Sequence, residues 1–271
     1  MGRRSHTGHD LRRFGPQSLL RVNRKPILAT LLGVAAYLLF LEIGRAVLAS
    51  QLPSPSNTTS LPEILTLLSI PVVLLVTLLV TVALGPLDRN SPRNYLRESR
   101  VALSCLLLVS FAHGILLLRV GADRPPVFPT TLFFVLSSFP YLGLYLFGAR
   151  ISPPAASAAV SLILYFAVCS NFLWSNSWIE AAPEEKRPER IEWILLSNPI
   201  LVASGGLLEE DLLRRSWTYE HSAIGSFYRF EYPDRHRATL DYTLLGTLLW
   251  VFGLGLSFFF PRQTHTQKFS V

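Results

Sequence analysis

Glu42 and Arg45 stand three residues apart inside the apolar run Pro26–Leu48, so on a helix they share one face and can form an ion pair. Charge inside a membrane span is costly and marks a path or relay, unless it snorkels to a nearby surface. The pair lies in the outer third of its run, where either role is open. His113, beside Gly114 in the run Val101–Leu118, would need a titratable partner on a neighbouring helix to pass a proton. The next two runs offer none, so an interhelical hydrogen bond is the simpler role, and Asn171 is read the same way. His221 and His236 neighbour Glu220 and Asp234, but their spacing matches no metal-ligand pattern. No Gly-x-Ser-x-Gly, Walker loop or Gly-x-Gly-x-x-Gly is present. The expectation is a chain without catalytic, cofactor-binding or metal-binding residues: not an enzyme, and dependent on another subunit for any ATP-driven work.

The elements that position these residues are helices in lipid. Pro26–Leu48, Pro62–Leu84, Val101–Leu118, Thr131–Ala149 and Ala155–Trp174 are nearly unbroken apolar runs of 18 or more residues, and Leu240–Phe260 is a sixth. About 20 apolar residues at about 1.5 Å each cross the ~30 Å hydrocarbon layer. The chain is 50% hydrophobic and 16% charged, where soluble domains carry about 25% charge. Cys105 and Cys169 both fall inside runs and read as small buried residues rather than a disulfide framework. This predicts an all-α, polytopic membrane helix bundle of six spans.

The formal charge of +7 is concentrated at the start, where residues 1–25 hold seven basic side chains against Asp10 alone. A basic arm directly before a span sets orientation, so nucleic acid is excluded as a partner. Counting Lys and Arg in successive connections puts twelve inside and two outside up to the fifth run when the amino terminus is cytoplasmic. The expected organisation is a basic cytoplasmic or interfacial arm (1–25) and five spans (26–174). An extracytoplasmic segment (175–239), the last span (240–260) and a cytoplasmic tail (261–271) follow. The expected location is the cell (inner) membrane.

Within the outer segment, residues 191–208 read IEWILLSNPILVASGGLL. The length approaches that of a span, but Asn198-Pro199 opens the hydrogen-bond ladder and Gly205-Gly206 weakens the helix. A re-entrant or interfacial element satisfies its amides better than a lipid-exposed broken helix. A seventh span remains the alternative, because it would bring Arg214, Arg215, Arg229, Arg235 and Arg237 inside. Pro183 and Pro188 suit the opening of a helix, and Leu207–Arg215 reads as an amphipathic helical piece. Tyr228, Phe230 and Tyr232 alternate as in a strand, while Trp178, Trp193 and Trp217 suit an interfacial belt. On the inner side, Ser91–Arg100 (SPRNYLRESR) has a serine cap and a proline at the first helical position. It reads either as a short exposed docking helix offering Arg93, Tyr95, Leu96 and Arg97 or as a basic turn that sets topology.

Taken together, the arm Gly2–Lys25, the six runs, the internal connection Ser91–Arg100 and the broken element 191–208 resemble the membrane subunits of type-2 ABC transporters, the ABC-2 permeases. The resemblance is one of architecture, and the external stretch Leu207–Thr239 is longer and more polar than the family's re-entrant hairpin. It implies a permease subunit in the lipid bilayer, paired with a second permease subunit as a homo- or heterodimer. It also implies a cytosolic ABC-type ATPase docked at Arg93, Tyr95, Leu96 and Arg97, and a re-entrant break at Asn198 and Pro199. Glu42, Arg45, His113 and Asn171 are the intramembrane polar residues, with Glu42, Arg45 and Asn171 placed along the path. A different class is the alternative: a non-catalytic membrane assembly or sensing protein that binds a partner through residues 175–239.

Overall fold

A computed structural model describes residues 24–51, 61–85, 91–119, 127–208, 211–214, 222, 224 and 230–259. Six long helices form the bundle: α1 (Arg24–Gln51), α2 (Leu61–Leu84), α3 (Pro92–Arg119), α4 (Val127–Gly148), α5 (Pro154–Cys169) and, closing it, α10 (Arg235–Phe259). Among the described residues, four short helices lie between α5 and α10: α6 (Asn171–Trp174), α7 (Asn176–Glu180), α8 (Arg187–Ser197) and α9 (Pro199–Leu207). Among the described residues there is no strand. Four of the helices, α2, α3, α4 and α10, are long and apolar enough to cross a membrane by length and composition. The described apolar parts of α1 (Thr30–Gly44) and α5 are shorter.

The helices turn apolar side chains both inward and outward. Tyr37, Leu74, Leu106, Phe133 and Tyr165 pack in the centre, while Leu39, Phe111, Ile163, Leu248 and Phe252 face out. A soluble bundle of this size would not expose so continuous an apolar surface. In lipid, helices gain little from burying apolar area and associate by close packing. The most extensive helix pair, α4 with α10, shows this. A Cβ on Gly143 would lie 2.8 Å from the Gly246 carbonyl oxygen, so only glycine lets these backbones approach. Four interior hydroxyls are satisfied within their own helices. Ser69, Thr77, Thr81 and Ser257 each donate to the carbonyl four residues earlier.

Several expectations need correction. Ser91–Arg100 is not a separate exposed helix but forms the opening turns of the 28-residue α3. Nothing between Arg100 and Val101 interrupts the ladder, and Ser91 Oγ accepts from the Asn94 amide as expected of a cap. The fifth run does not continue to Trp174, because α5 ends at Cys169 and the chain turns at Ser170. The last helix begins five residues before Leu240, at Arg235. Leu207–Arg215 is not one amphipathic helix: α9 ends at Leu207, and Leu212–Arg214 is a separate 3-10 turn. Phe230–Tyr232 is not part of a strand. The alternation reflects two rings packed inward, in edge contact at 5.5 Å, with no neighbouring strand. Most of the arm, the tail, Trp217, His221, Tyr228 and the Arg45 side chain lie outside the described residues.

Candidate functional site

Two polar constellations occupy opposite ends of the bundle. At one end, α8 and α9 form a helical hairpin against the start of α10. Arg237 donates to Glu192 at 3.0 Å and Tyr242 donates to the Leu196 carbonyl at 2.9 Å. The two contacts advance together, so α8 runs parallel to α10. On the return leg, Arg235 donates to the Gly206 carbonyl at 3.3 Å, so α9 climbs back to where α10 begins. Tyr242 lies seven residues along α10 from Arg235, which places the apex about 10 Å further along α10 than the hairpin's open end. α9 touches α2, α4, α5 and α10. Leu201, Val202, Ala203 and Ser204 are all fully buried.

The apex is Asn198-Pro199, and its backbone groups have identifiable partners. Pro199 opens α9 where its missing N–H costs nothing. Asn198 Oδ1 accepts from the Ile200 and Leu201 amides at 2.9 and 3.2 Å, capping α9. Asn198 Nδ2 donates to the Cys169 carbonyl at 3.0 Å and to Asn171 Oδ1 at 2.7 Å. Asn171 Nδ2 in turn donates to the Ile194 carbonyl and Ser197 Oγ. Thus the turn after α5 and the break between α8 and α9 satisfy one another, and two residues flagged separately in the sequence meet. Gly205 is required because a Cβ there would collide with the Tyr232 ring. Tyr232 ties the following segment down: its hydroxyl donates to Asp211 at 2.9 Å and accepts from the Leu213 amide at 3.1 Å. Burial holds this phenol above its ordinary pKa, with the Asp211 charge adding to the effect.

At the other end, the opening turns of α3 divide by face. Arg93, Leu96, Arg97 and Arg100 are exposed and border a concavity of about 640 Å³ with Asn94 and Val101. Tyr95 and Glu98 are buried, which corrects the expectation that Tyr95 is offered outward. Positions 95, 98 and 102 follow helical spacing on the inner face, opposite 93, 97 and 100. Glu98 Oε2 meets Arg150 Nη2 at 2.5 Å, and Tyr145 donates to Glu98 Oε1 at 2.6 Å. The Arg150 guanidinium also lies 4.9 Å from the Tyr95 ring centroid. Tyr95 donates to the Trp250 carbonyl at 2.6 Å, and Trp250 Nε1 donates to Ser99 Oγ at 3.0 Å. This network ties α3 to α4, the α4–α5 turn and α10. Sequence reading missed it because Glu98 and Arg150 are 52 positions apart.

Between the ends, His113 links three helices. Tyr37 Oη lies 3.0 Å from its Nδ1 and Thr66 Oγ1 3.3 Å from its Nε2, with the Phe134 ring tilted against it at 4.8 Å between centroids. A neutral imidazole donates at one nitrogen and accepts at the other, so both are used. Glu42 on α1 is half-buried. His236 is exposed, and its amide donates to Asp234 in a helix-opening turn. The fold and the two ends define a class: an all-helical bundle with apolar helices of membrane-spanning length and a capped helical hairpin before its last helix. Comparison with models of known families, with curated proteins and with solved structures finds no match.

Proposed function

We propose that this chain is the permease subunit of an ABC-2-like transporter, driven by a separate cytosolic ATPase and paired with a second permease subunit. One observation carries the reading: the α8–α9 hairpin, broken at Asn198-Pro199, dips beside the opening of the last helix and returns. A six-span bundle with a cytoplasmic amino terminus makes that hairpin a re-entrant element entering from the extracytoplasmic face. The opposite, arginine-rich end then faces the cytosol.

The division of α3 gives such a machine its input. Arg93, Leu96 and Arg97 are accessible to a partner, while Tyr95 and Glu98 on the other face grip α4, the α4–α5 turn and α10. A push on the outer face is transmitted inward by the same two helical turns. ATP does work only through a difference in partner affinity between the inward- and outward-open states. The chain supplies surfaces and hinges, and the partner supplies the chemistry.

The test is affinity capture of the tagged full-length chain from its native membranes in mild detergent. An ABC-type ATPase copurifies with the wild type and is lost from Leu96→Ala/Arg97→Glu. Tyr95→Phe retains the ATPase but loses ATP-dependent substrate movement. Capture without any ATPase, together with no ATP-dependent movement in vesicles, overturns the proposal. Loss of a captured partner only on deleting residues 211–234 would favour the assembly or sensing alternative.

A further inference from the structure

Beyond these two ends, one surface concavity gathers charges of both signs between two indoles. It measures about 400 Å³ and is lined by Trp178, Lys186, Glu189, Arg190 and Trp193. Trp178 comes from α7 and Lys186 from the 3-10 turn Glu184–Lys186. Glu189, Arg190 and Trp193 come from the first two turns of α8. Positions 186, 189, 190 and 193 have the spacing of one helix face, so these side chains stand together. Trp178 is 45% and Trp193 68% exposed, unusually open for large aromatic side chains.

Arg190 is fixed in place. Its guanidinium lies 4.8 Å from the Trp178 ring centroid, and one Nη donates to the Trp178 carbonyl. Its remaining N–H groups are available, since a guanidinium carries five donors. Lys186 and Glu189 have no partner among the described residues, and both are exposed. Two cations and one carboxylate between indole faces make a surface for a ligand that itself carries both signs. Indoles prefer the level of the lipid headgroups, where one edge is wet and the other apolar.

We infer that this concavity binds the headgroup of a zwitterionic phospholipid with a primary ammonium, phosphatidylethanolamine. Lys186 and Arg190 hold the phosphate through charge-assisted hydrogen bonds. Glu189 and the Trp193 face hold the ammonium. Phosphatidylcholine lacks the N–H donors that Glu189 would accept, and phosphatidylglycerol lacks the cation. The site depends on a lipid surrounding but not on transport, so it stands or falls separately from the permease reading.

The experiment is native mass spectrometry of the full-length chain in detergent, with equimolar phosphatidylethanolamine, phosphatidylglycerol and phosphatidylcholine of identical acyl chains. The wild type carries phosphatidylethanolamine in excess of each competitor by about fivefold, the preference expected of one well-placed exposed ion pair. Glu189→Gln removes that preference, and Lys186→Ala lowers retention of every phospholipid. Both changes are at exposed side chains, and unchanged circular dichroism confirms intact folding. Equal or greater retention of phosphatidylglycerol by the wild type, or an undiminished preference in Glu189→Gln, overturns the inference.

Discussion

Glu98 and Arg150 are held out of solvent, with side-chain exposures of 0% and 4%. Separating a buried pair by removing one member leaves the other charge unpaired, at a cost of about 3–5 kcal/mol. Glu98→Ala should therefore lower the detergent melting temperature sharply. Glu98→Gln, which keeps a hydrogen bond from Tyr145, should be milder. The double variant Glu98→Leu/Arg150→Met should recover much of the loss, because an apolar pair carries no desolvation penalty. A Glu98→Ala variant as stable as the wild type would contradict the buried pair. The local sequence concealed it: SPRNYLRESR is dense in charge and invites a solvated reading, and Arg150 lies 52 positions away in the α4–α5 turn. Helical spacing separates the faces, but only the packing of α4 and α10 decides which face is inside.

At the scale of the element, the hairpin depends on its apex. Asn198→Ala removes the α9 cap and the bonds to Cys169 and Asn171. The expected cost is about 1–3 kcal/mol, and Asn198→Asp should retain the cap but lose the donors. Thermal denaturation ranks the three proteins as wild type, Asn198→Asp, Asn198→Ala; an unchanged alanine variant would contradict the mutual clasp. Gly205→Ala should destabilise as well, since the Tyr232 ring occupies the space its methyl needs. Combining it with Tyr232→Ala should give a cost smaller than the sum of the two. Part of this hairpin was legible in the chain, because Asn-Pro marks a break through known backbone chemistry, whereas Gly205 and Gly206 lie inside α9. Its closure by Asn171 was not, since that contact spans 27 positions and depends on where α5 ends. The strand reading of Phe230 and Tyr232 failed because alternation reports which side faces inward, not whether a partner strand exists.

For the whole molecule, the apolar runs carried the sequence reading furthest. Run boundaries followed composition, so they erred where charge continues a helix: α3 starts at Pro92 and α10 at Arg235. Polar residues at helix ends are compatible with a span when they lie at its margins or face protein. The outward-facing leucines and phenylalanines require lipid or detergent, and aggregation in their absence is the corresponding expectation. The proposed arrangement is a lipid-embedded bundle whose arginine-rich end is cytosolic and whose hairpin enters from the opposite face. Single-cysteine labelling in intact cells, with Cys105 and Cys169 replaced by alanine, tests that arrangement most directly. Lys186→Cys should react with a membrane-impermeant maleimide from outside, Arg97→Cys only after the membrane is opened, and Val202→Cys in neither case. Labelling of Arg97→Cys in intact cells, or of Val202→Cys in the folded protein, would contradict it.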